Sequence, residues 1–415
     1  MLSVLKMAIR NLLRYQRRTL LTTLLITIGI VAVLLFIALS GSFRALMVGQ
    51  ITDSMLGHLQ IHKRGYVRSI DSLPLTLNMK PQMVDKVNET LAELDGVESW
   101  SPRIKFGAMF SNFKETTNIR LNAVDPAREV STCPLLPGRI IDGDRNGPLV
   151  ESGKILIPEL LAKGMKVKLG DSIVIVATNR DGSVNGKTFA VHGILEGISG
   201  PGGRDGYMHI EDARDLLRME DDEISEIAIR LSDTSKLDAS YTGLKNTLGI
   251  LKNKQGKPAF EVHKWEKLSP FSNIAKMIDM LDIFIKVMLV SIVLISVMNV
   301  MLMAVFERVQ EIGTISAIGT TPNKILALFV SEGLLLGLLG SLVGTLLSLA
   351  AIYMMNIKTI SFSFGRQENL VLEPTIATAE VISIAAVVII VAVLASLQPA
   401  WKASRMDPIT ALRHV

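Results

Sequence analysis

FERVQEIGTISAIGTTPNKI, residues 306–325, interrupts the long apolar runs of the chain's C-terminal part. It sets Glu307, Arg308, Glu311 and Lys324 between two long apolar runs, 283–305 and 325–355. Glu307, Arg308 and Glu311 end any exposure to hydrocarbon, where ionised side chains are costly. Gly313, Ala317 and Gly319 keep one flank small, so that another protein surface can approach the backbone. A bare turn between two spans needs fewer residues than this helix-like insert. The segment therefore reads as a place where a membrane domain is gripped from the cytoplasm, in preference to a simple hairpin.

The same hydropathy pattern recurs along the 415 residues. A helix needs about 20 apolar residues to cross roughly 30 Å of hydrocarbon. Four runs meet that length, and the spans are placed at 20–44, 276–305, 325–355 and 376–397. A segment of mixed polarity, 45–275, separates the first two. The net charge is +5, and the first eighteen residues carry Lys6, Arg10, Arg14, Arg17 and Arg18 with no acid. Basic residues ahead of a first span fix the N-terminus in the cytoplasm and favour a membrane face over nucleic acid. The first span is longer than a signal-peptide core, so it reads as an uncleaved anchor. Four spans then return the tail, 398–415, to the cytoplasm and place 45–275 outside the inner membrane.

Residues 1–18 set Leu2, Leu5, Ile9, Leu12 and Leu13 against a basic face, the pattern of an interfacial amphipathic helix. Segment 45–275 reads as α+β, in two groups: about 45–130 with 220–265, and 135–218. Gly200 to Gly206, GPGGRDG, reads as a loop. GSVNGKT, 182–188, resembles a phosphate-binding loop, but it has three residues between its glycines where four are required and falls in a hairpin. No cofactor or metal site is therefore expected in this chain; His58 and His62 share a strand face without any further ligand pattern. The single cysteine, Cys133, has no partner for an intrachain disulfide.

In the third span Gly333, Gly337, Gly340 and Gly344 form two Gly-xxx-Gly pairs seven residues apart, a small stripe for close helix packing. Glu332 lies about 10 Å inside that span by helix rise. An intramembrane carboxylate needs a partner; either it anchors the span to the segment at 306–325 or it makes an ordinary buried contact. The loop 356–375 joins the last two spans, and Pro399 and Pro408 argue against one long helix in the tail.

These motifs resemble a known family. ERVQEIGTISAIG is similar to the coupling-helix signature of the permeases related to MacB, FtsX and the lipoprotein-releasing (Lol) transporter. PAWKASRMDPITAL resembles its C-terminal signature, AIRNLLRYQRRTLLTTLLITIGI its first span, and ILIPELLAKGMKVKLGD and GKTFAVHGIL parts of its outer domain; GHLQIHKRGY resembles the Lol-type branch. The resemblance covers nearly the whole chain. It implies a type VII ABC (MacB-like) architecture: an α-helical membrane protein of four transmembrane helices, with a large α+β extracytoplasmic domain inserted between spans 1 and 2. It also implies a bacterial inner-membrane protein with both termini cytoplasmic. Two copies of an ABC ATPase would bind ATP and Mg, and a second permease, identical or paralogous, would complete the complex. Coupling would fall to Glu307, Arg308, Glu311, Gly313, Ala317 and Gly319. The chain would be no enzyme itself. It would pass ATP-driven motion to its outer domain, most directly to extract lipoproteins from the outer leaflet. The alternatives are a MacB-like efflux permease with a periplasmic adaptor and an FtsX-like regulator of cell-wall hydrolysis. For lipoprotein extraction, Phe36, Leu39, Phe43, Met280, Phe284 and Met288 at the outer ends of the first two spans are candidates to line an acyl-chain cavity.

Overall fold

The structure is a computed structural model that describes residues 2–197, 204–269, 272–358, 360–364 and 367–412. Most of the GPGGRDG loop, with Arg413 and His414, lies outside the described residues. The chain divides into two compact units, residues 1–46 with 276–415 and residues 47–275.

In chain order the helices are α1 (Leu2–Arg14), α2 (Gln16–Ile51), α3 (Pro81–Glu93), α4 (Pro126–Thr132), α5 (Glu159–Met165), α6 (Ile210–Leu216), α7 (Leu237–Gly249), α8 (Trp265–Leu268), α9 (Ser272–Glu307), α10 (Val309–Ala317), α11 (Pro322–Ile357), α12 (Thr378–Ser404) and α13 (Pro408–Leu412). The strands are β1 (Leu59–Lys63), β2 (Val97–Ser111), β3 (Thr116–Val124), β4 (Ile140–Gly143), β5 (Lys154–Pro158), β6 (Ser172–Thr178), β7 (Val184–Leu195), β8 (Gly206–His209), β9 (Glu226–Leu231), β10 (Phe260–Lys264), β11 (Ile360–Phe364) and β12 (Gln367–Leu372).

Among the described residues four helices, α2, α9, α11 and α12, are long and apolar enough to cross a membrane. Each extends beyond the apolar run that marks it, because the backbone ladder continues through polar flanks that hydrocarbon would exclude. Pro399 lies inside α12, which runs on to Ser404. Spanning helices tolerate proline where neighbours supply other backbone partners, and the tail breaks only after Ser404, before α13 opens at Pro408. The amphipathic segment ends earlier than expected. α1 stops at Arg14 and Tyr15 forms a turn, so Arg17 and Arg18 belong to α2. The Thr19 hydroxyl donates to the Leu12 carbonyl at 2.9 Å and closes that break.

The helical unit is held by a core of Ile26, Ile30 and Leu34 from α2, Val293, Val297 and Met301 from α9, Leu336 from α11 and Ala392 and Ala395 from α12. Its outward side chains are apolar too: Leu24 and Ile28, Ile283 and Ile292, Leu346 and Leu347, Ile390 and Leu394. Apolar inside and apolar outside is the arrangement lipid demands. The glycine stripe of α11 divides between two neighbours. A β-carbon on Gly333 would meet Ser396 at 2.6 Å and one on Gly337 would meet Ala392 at 2.9 Å, both on α12. One on Gly340 would meet Ile26 at 2.5 Å and one on Gly344 would meet Ile30 at 2.9 Å, both on α2. The segment 356–375 contains the antiparallel hairpin β11–β12.

Residues 47–275 build one ten-stranded sheet, in the order β10-β1-β9-β2-β3-β8-β5-β7-β4, with β6 paired to β2 and β7. The two groups read from sequence therefore share a sheet. The reason is β2, fifteen residues long: Val97–Arg103 pairs with β9, Arg103–Ser111 with β3, and Ala108–Ser111 also with β6. β3 then runs parallel to β8, Leu121 opposite Gly206. At Gly206 a β-carbon would lie 2.8 Å from the Leu156 carbonyl oxygen, so only glycine lets β5 and β8 approach. The GSVNGKT segment forms the β6–β7 hairpin turn and the start of β7.

Candidate functional site

The charged segment at 306–325 is a helical hairpin broken at one residue. α9 ends at Glu307, Arg308 leaves the helical region (φ −115°, ψ 21°), and α10 follows. Gly319, at φ +99°, makes the left-handed turn out of α10, and Pro322 opens α11 at a first-turn position where its missing N–H costs nothing.

The break turns Arg308 inward. Its side chain is 5% exposed, with Nη1 donating to Glu332 Oε1 at 3.0 Å and Nε to Glu311 Oε2 at 3.0 Å. Glu332, on α11, is fully buried. The same Oε1 accepts from Asn11 Nδ2 at 2.8 Å, and Arg18 Nη2 stands 3.8 Å from Oε2. Glu311 also accepts from the Tyr15 hydroxyl at 3.3 Å and pairs with Arg14 at 3.5 Å. Glu307 reaches Arg18 at 4.0 Å. Tyr15 sits amid the cations, with the guanidinium carbons of Arg18, Arg308 and Arg14 at 5.3, 5.5 and 5.8 Å from its ring centroid. That range is the reach of cation–π attraction.

Three arginines, 14, 18 and 308, thus face three glutamates, 307, 311 and 332, and the cluster is neutral as a whole. Neutrality is what makes it tolerable: taking charges out of water is repaid only by close pairing and further hydrogen bonds. Burial alone would lower the Arg308 pKa, but Glu332 and Glu311 outweigh it and hold the group above its ordinary value. Burial would raise that of Glu311; the hydrogen bond and charge of Arg308, with Arg14 and Tyr15, bring it below the usual carboxylate range. The arrangement ties α1, α2, α10 and α11 at one point. It can carry a push on α10 into the helices, and it offers no nucleophile or proton relay.

Of the six residues expected to couple, Arg308 and Gly313 are buried, Glu311 is half-buried, and Glu307, Ala317 and Gly319 are exposed. The exposed apolar surface here comes from Phe306 (66%) and Ile318 (81%). α13 packs against α10, and below them Val305, Ile312, Ile325, Phe329, Ala400 and Ala403 form a separate small core. Of the two readings open for Glu332, the structure has the anchor: it binds the segment at 306–325 through Arg308. Sequence reasoning missed Asn11, Tyr15 and the inward role of Arg14 and Arg18, which it read as headgroup contacts. The available signal was Glu332 itself, a lone buried carboxylate that requires cations nearby.

None of the six residues expected to line an acyl-chain cavity lines the cavity described below. Met280, Phe284 and Met288 are exposed, and Phe36, Leu39 and Phe43 are half-buried. The physical reason is helical phase. On α9 the packed stripe runs through Ile278, Leu289, Val293, Val297 and Met301, with Asp282 accepting from Ser40 at 2.7 Å. Residues 280, 284 and 288 fall off that stripe. A cavity of about 150 Å³ in the helical unit is lined by other residues of α2, α9 and α12.

The sheet unit has its own buried charges. Glu226 takes Lys105 at 2.9 Å, Arg103 at 3.1 Å and His62 at 3.3 Å, and Arg103 also pairs with Glu129 at 2.7 Å. Cys133 lies beside Arg103; burial, reinforced by Glu129, pushes its thiol up to about 12. His58 accepts from the Leu231 amide, and no group of three metal-ligating side chains occurs among the described residues. This cluster cross-braces β1, β2, β9 and α4.

Residues 19–246 match the profile of a MacB-like periplasmic core domain, and residues 283–408 that of an FtsX-like permease C-terminal domain. LolC of Haemophilus influenzae, a lipoprotein-releasing system transmembrane protein, is 23% identical over 269 residues, 63% of this chain and 64% of its own. MacB of Bdellovibrio bacteriovorus, a macrolide export ATP-binding/permease protein, is 23% identical over 403 residues, 94% of this chain and 58% of its own. The ABC transporter permease YtrF of Bacillus subtilis is 35% identical over 137 residues, 32% of this chain and 31% of its own. The chain thus spans less than two thirds of the length of each. The periplasmic region of MacB from Actinobacillus actinomycetemcomitans aligns with 51% of this chain and 91% of its own at 13% identity, with a TM-score of 0.34. By its two matched domains, taken in this order over most of its length, the chain belongs to the MacB/FtsX-like family of ABC transporter permeases.

Proposed function

We propose that this chain is the permease subunit through which a separate ABC ATPase drives an extracytoplasmic domain, and that the cargo is lipoprotein drawn from the outer leaflet. The observation that carries the coupling role is the Arg308 bridge, which ties the short helix α10 to Glu332 inside the membrane helix α11. A force applied to the exposed tip, Phe306 and Ile318, acts on a rigid joint. Two ATPase copies would bind ATP and Mg, and a second permease, identical or paralogous, would complete the complex in the bacterial inner membrane. The likeness to LolC favours lipoprotein as cargo. The likeness to the Bdellovibrio MacB, which runs through nearly the whole chain, favours a second reading, export with a periplasmic adaptor.

The test is purification of the tagged chain from native membranes, followed by reconstitution in proteoliposomes with a radiolabelled lipoprotein. The expected result is a co-purifying ATPase and ATP-dependent release of the lipoprotein to a soluble acceptor. Full activity of this chain alone would overturn the coupling role. An adaptor in the complex, with no lipoprotein release, would overturn the cargo and favour export.

A further inference from the structure

The cavity of the helical unit has two kinds of wall. Its apolar lining is Val33 from α2, Leu289 and Val293 from α9, and Ile384 and Val387 from α12. One end is polar, formed by Lys286 of α9 with Glu380 and Ser383 of α12. Helix direction makes this a consistent slot. Lys286 precedes Leu289 and Val293 on α9, and Glu380 precedes Ile384 and Val387 on α12. The charges are therefore at the mouth, and the floor lies deeper, where a β-carbon on Gly29 would meet Val293 at 3.3 Å, a tight contact.

Depth agrees. Lys286 stands about 30 Å by helix rise from Glu307 at the far end of α9, and Glu380 about 33 Å from Lys402 on α12. Those lengths match the roughly 30 Å thickness of bilayer hydrocarbon. With the far ends at one interface, Lys286 and Glu380 reach headgroup level at the other. Neither side chain makes an ion pair or side-chain hydrogen bond among the described residues, in a unit where the buried Glu332 and Arg308 pair with each other. An unpaired cation and an unpaired anion at one mouth complement a zwitterion.

The geometry points to a site for one phospholipid whose headgroup carries a phosphate and a primary ammonium: the phosphate at Lys286, the ammonium at Glu380 and Ser383, and part of one acyl chain in the slot. A dry cavity of 150 Å³ lined by aliphatic side chains holds a molecule the size of benzene, so the slot takes up roughly six carbons of the chain. This reading stands apart from the transport proposal, since it concerns a lipid held within one copy of the chain whatever the cargo.

The full chain is placed in nanodiscs containing phosphatidylethanolamine with a diazirine on its acyl chain, illuminated, and the labelled residues are mapped by mass spectrometry. The expected result is labelling of the buried slot residues Val293 and Val388 several-fold above that of Ile292 and Ile390, which face outward. Gly29→Leu should abolish the excess and leave Ile292 and Ile390 labelled as before, an internal check that the helices remain assembled. In Lys286→Gln/Glu380→Gln the excess should fall while thermal unfolding is little changed. Equal labelling at all four positions in the native chain would overturn the site. Equal slot labelling by the phosphatidylglycerol analogue, which lacks the ammonium, would overturn the assigned headgroup.

Discussion

Glu332 is the residue on which the helical unit concentrates its electrostatics. Replaced by leucine, it leaves Arg308 and Arg18 without their buried counter-charge, and breaking a buried pair costs about 3–5 kcal/mol. Glu332→Leu should lower the unfolding midpoint in detergent accordingly. Arg308→Met added to it should recover part of the loss, because an apolar pair of similar volume is tolerated where a lone charge is not. Simple addition of the two single losses would refute the coupling. Glu311 carries a prediction of opposite exposure. It is partly open to solvent and its pKa is depressed, so its contribution is complete above the ordinary value of 4.5 and disappears as the pH falls through the lower folded value. Hydrogen exchange at Tyr15 and in α10 should therefore be flat from neutral pH down to about that value, after correction for intrinsic rates, and rise below it. No rise on acidification would mean that Arg14 and Tyr15 draw nothing from Glu311.

At the scale of elements, the glycine stripe shows what a sequence can and cannot say. Spacing alone put Gly333, Gly337, Gly340 and Gly344 on one face of α11, and close approach by a neighbour followed. It did not tell that the neighbour changes from α12 to α2 halfway along. The consequence is testable by compensation. Gly340→Ala should destabilise the unit by about 1–3 kcal/mol through overpacking. Ile26→Ala should relieve Gly340→Ala but not Gly337→Ala, whose obstacle is Ala392. Equal rescue of both, read by thermal unfolding in detergent, would contradict the divided stripe. The same limit explains the cavity residues. Sequence position put Met280, Phe284 and Met288 near one end of the span, while the packed face of α9 was set by partners remote in sequence, Ser40 and Ile30 among them. In the sheet unit, local pattern revealed most strands. The length of β2 hid that one strand serves both groups, because pairing partners up to about 130 residues away leave no local mark.

For the whole molecule the question is how a stroke delivered at α10 could travel. α9 runs unbroken for 36 residues with no proline inside it, and α2 for another 36. At 1.5 Å per residue each is a rod of about 54 Å. The charge cluster fixes α10 to α11 and to the start of α2, so under the proposed function displacement enters α2 through Arg18 and α9 through its own continuous backbone. A flexible joint placed midway along a rod should absorb that displacement without touching the ATPase contact. Ile292→Pro, at an exposed position of α9, supplies one: proline removes a ladder hydrogen bond and kinks the helix, and a spanning helix accommodates the kink without unfolding. The expected outcome in proteoliposomes is ATP hydrolysis retained and lipoprotein release lost. Release that keeps pace with hydrolysis in this variant would show that α9 is not the transmitting rod, and would leave α2, entered through Arg18, as the path for the stroke.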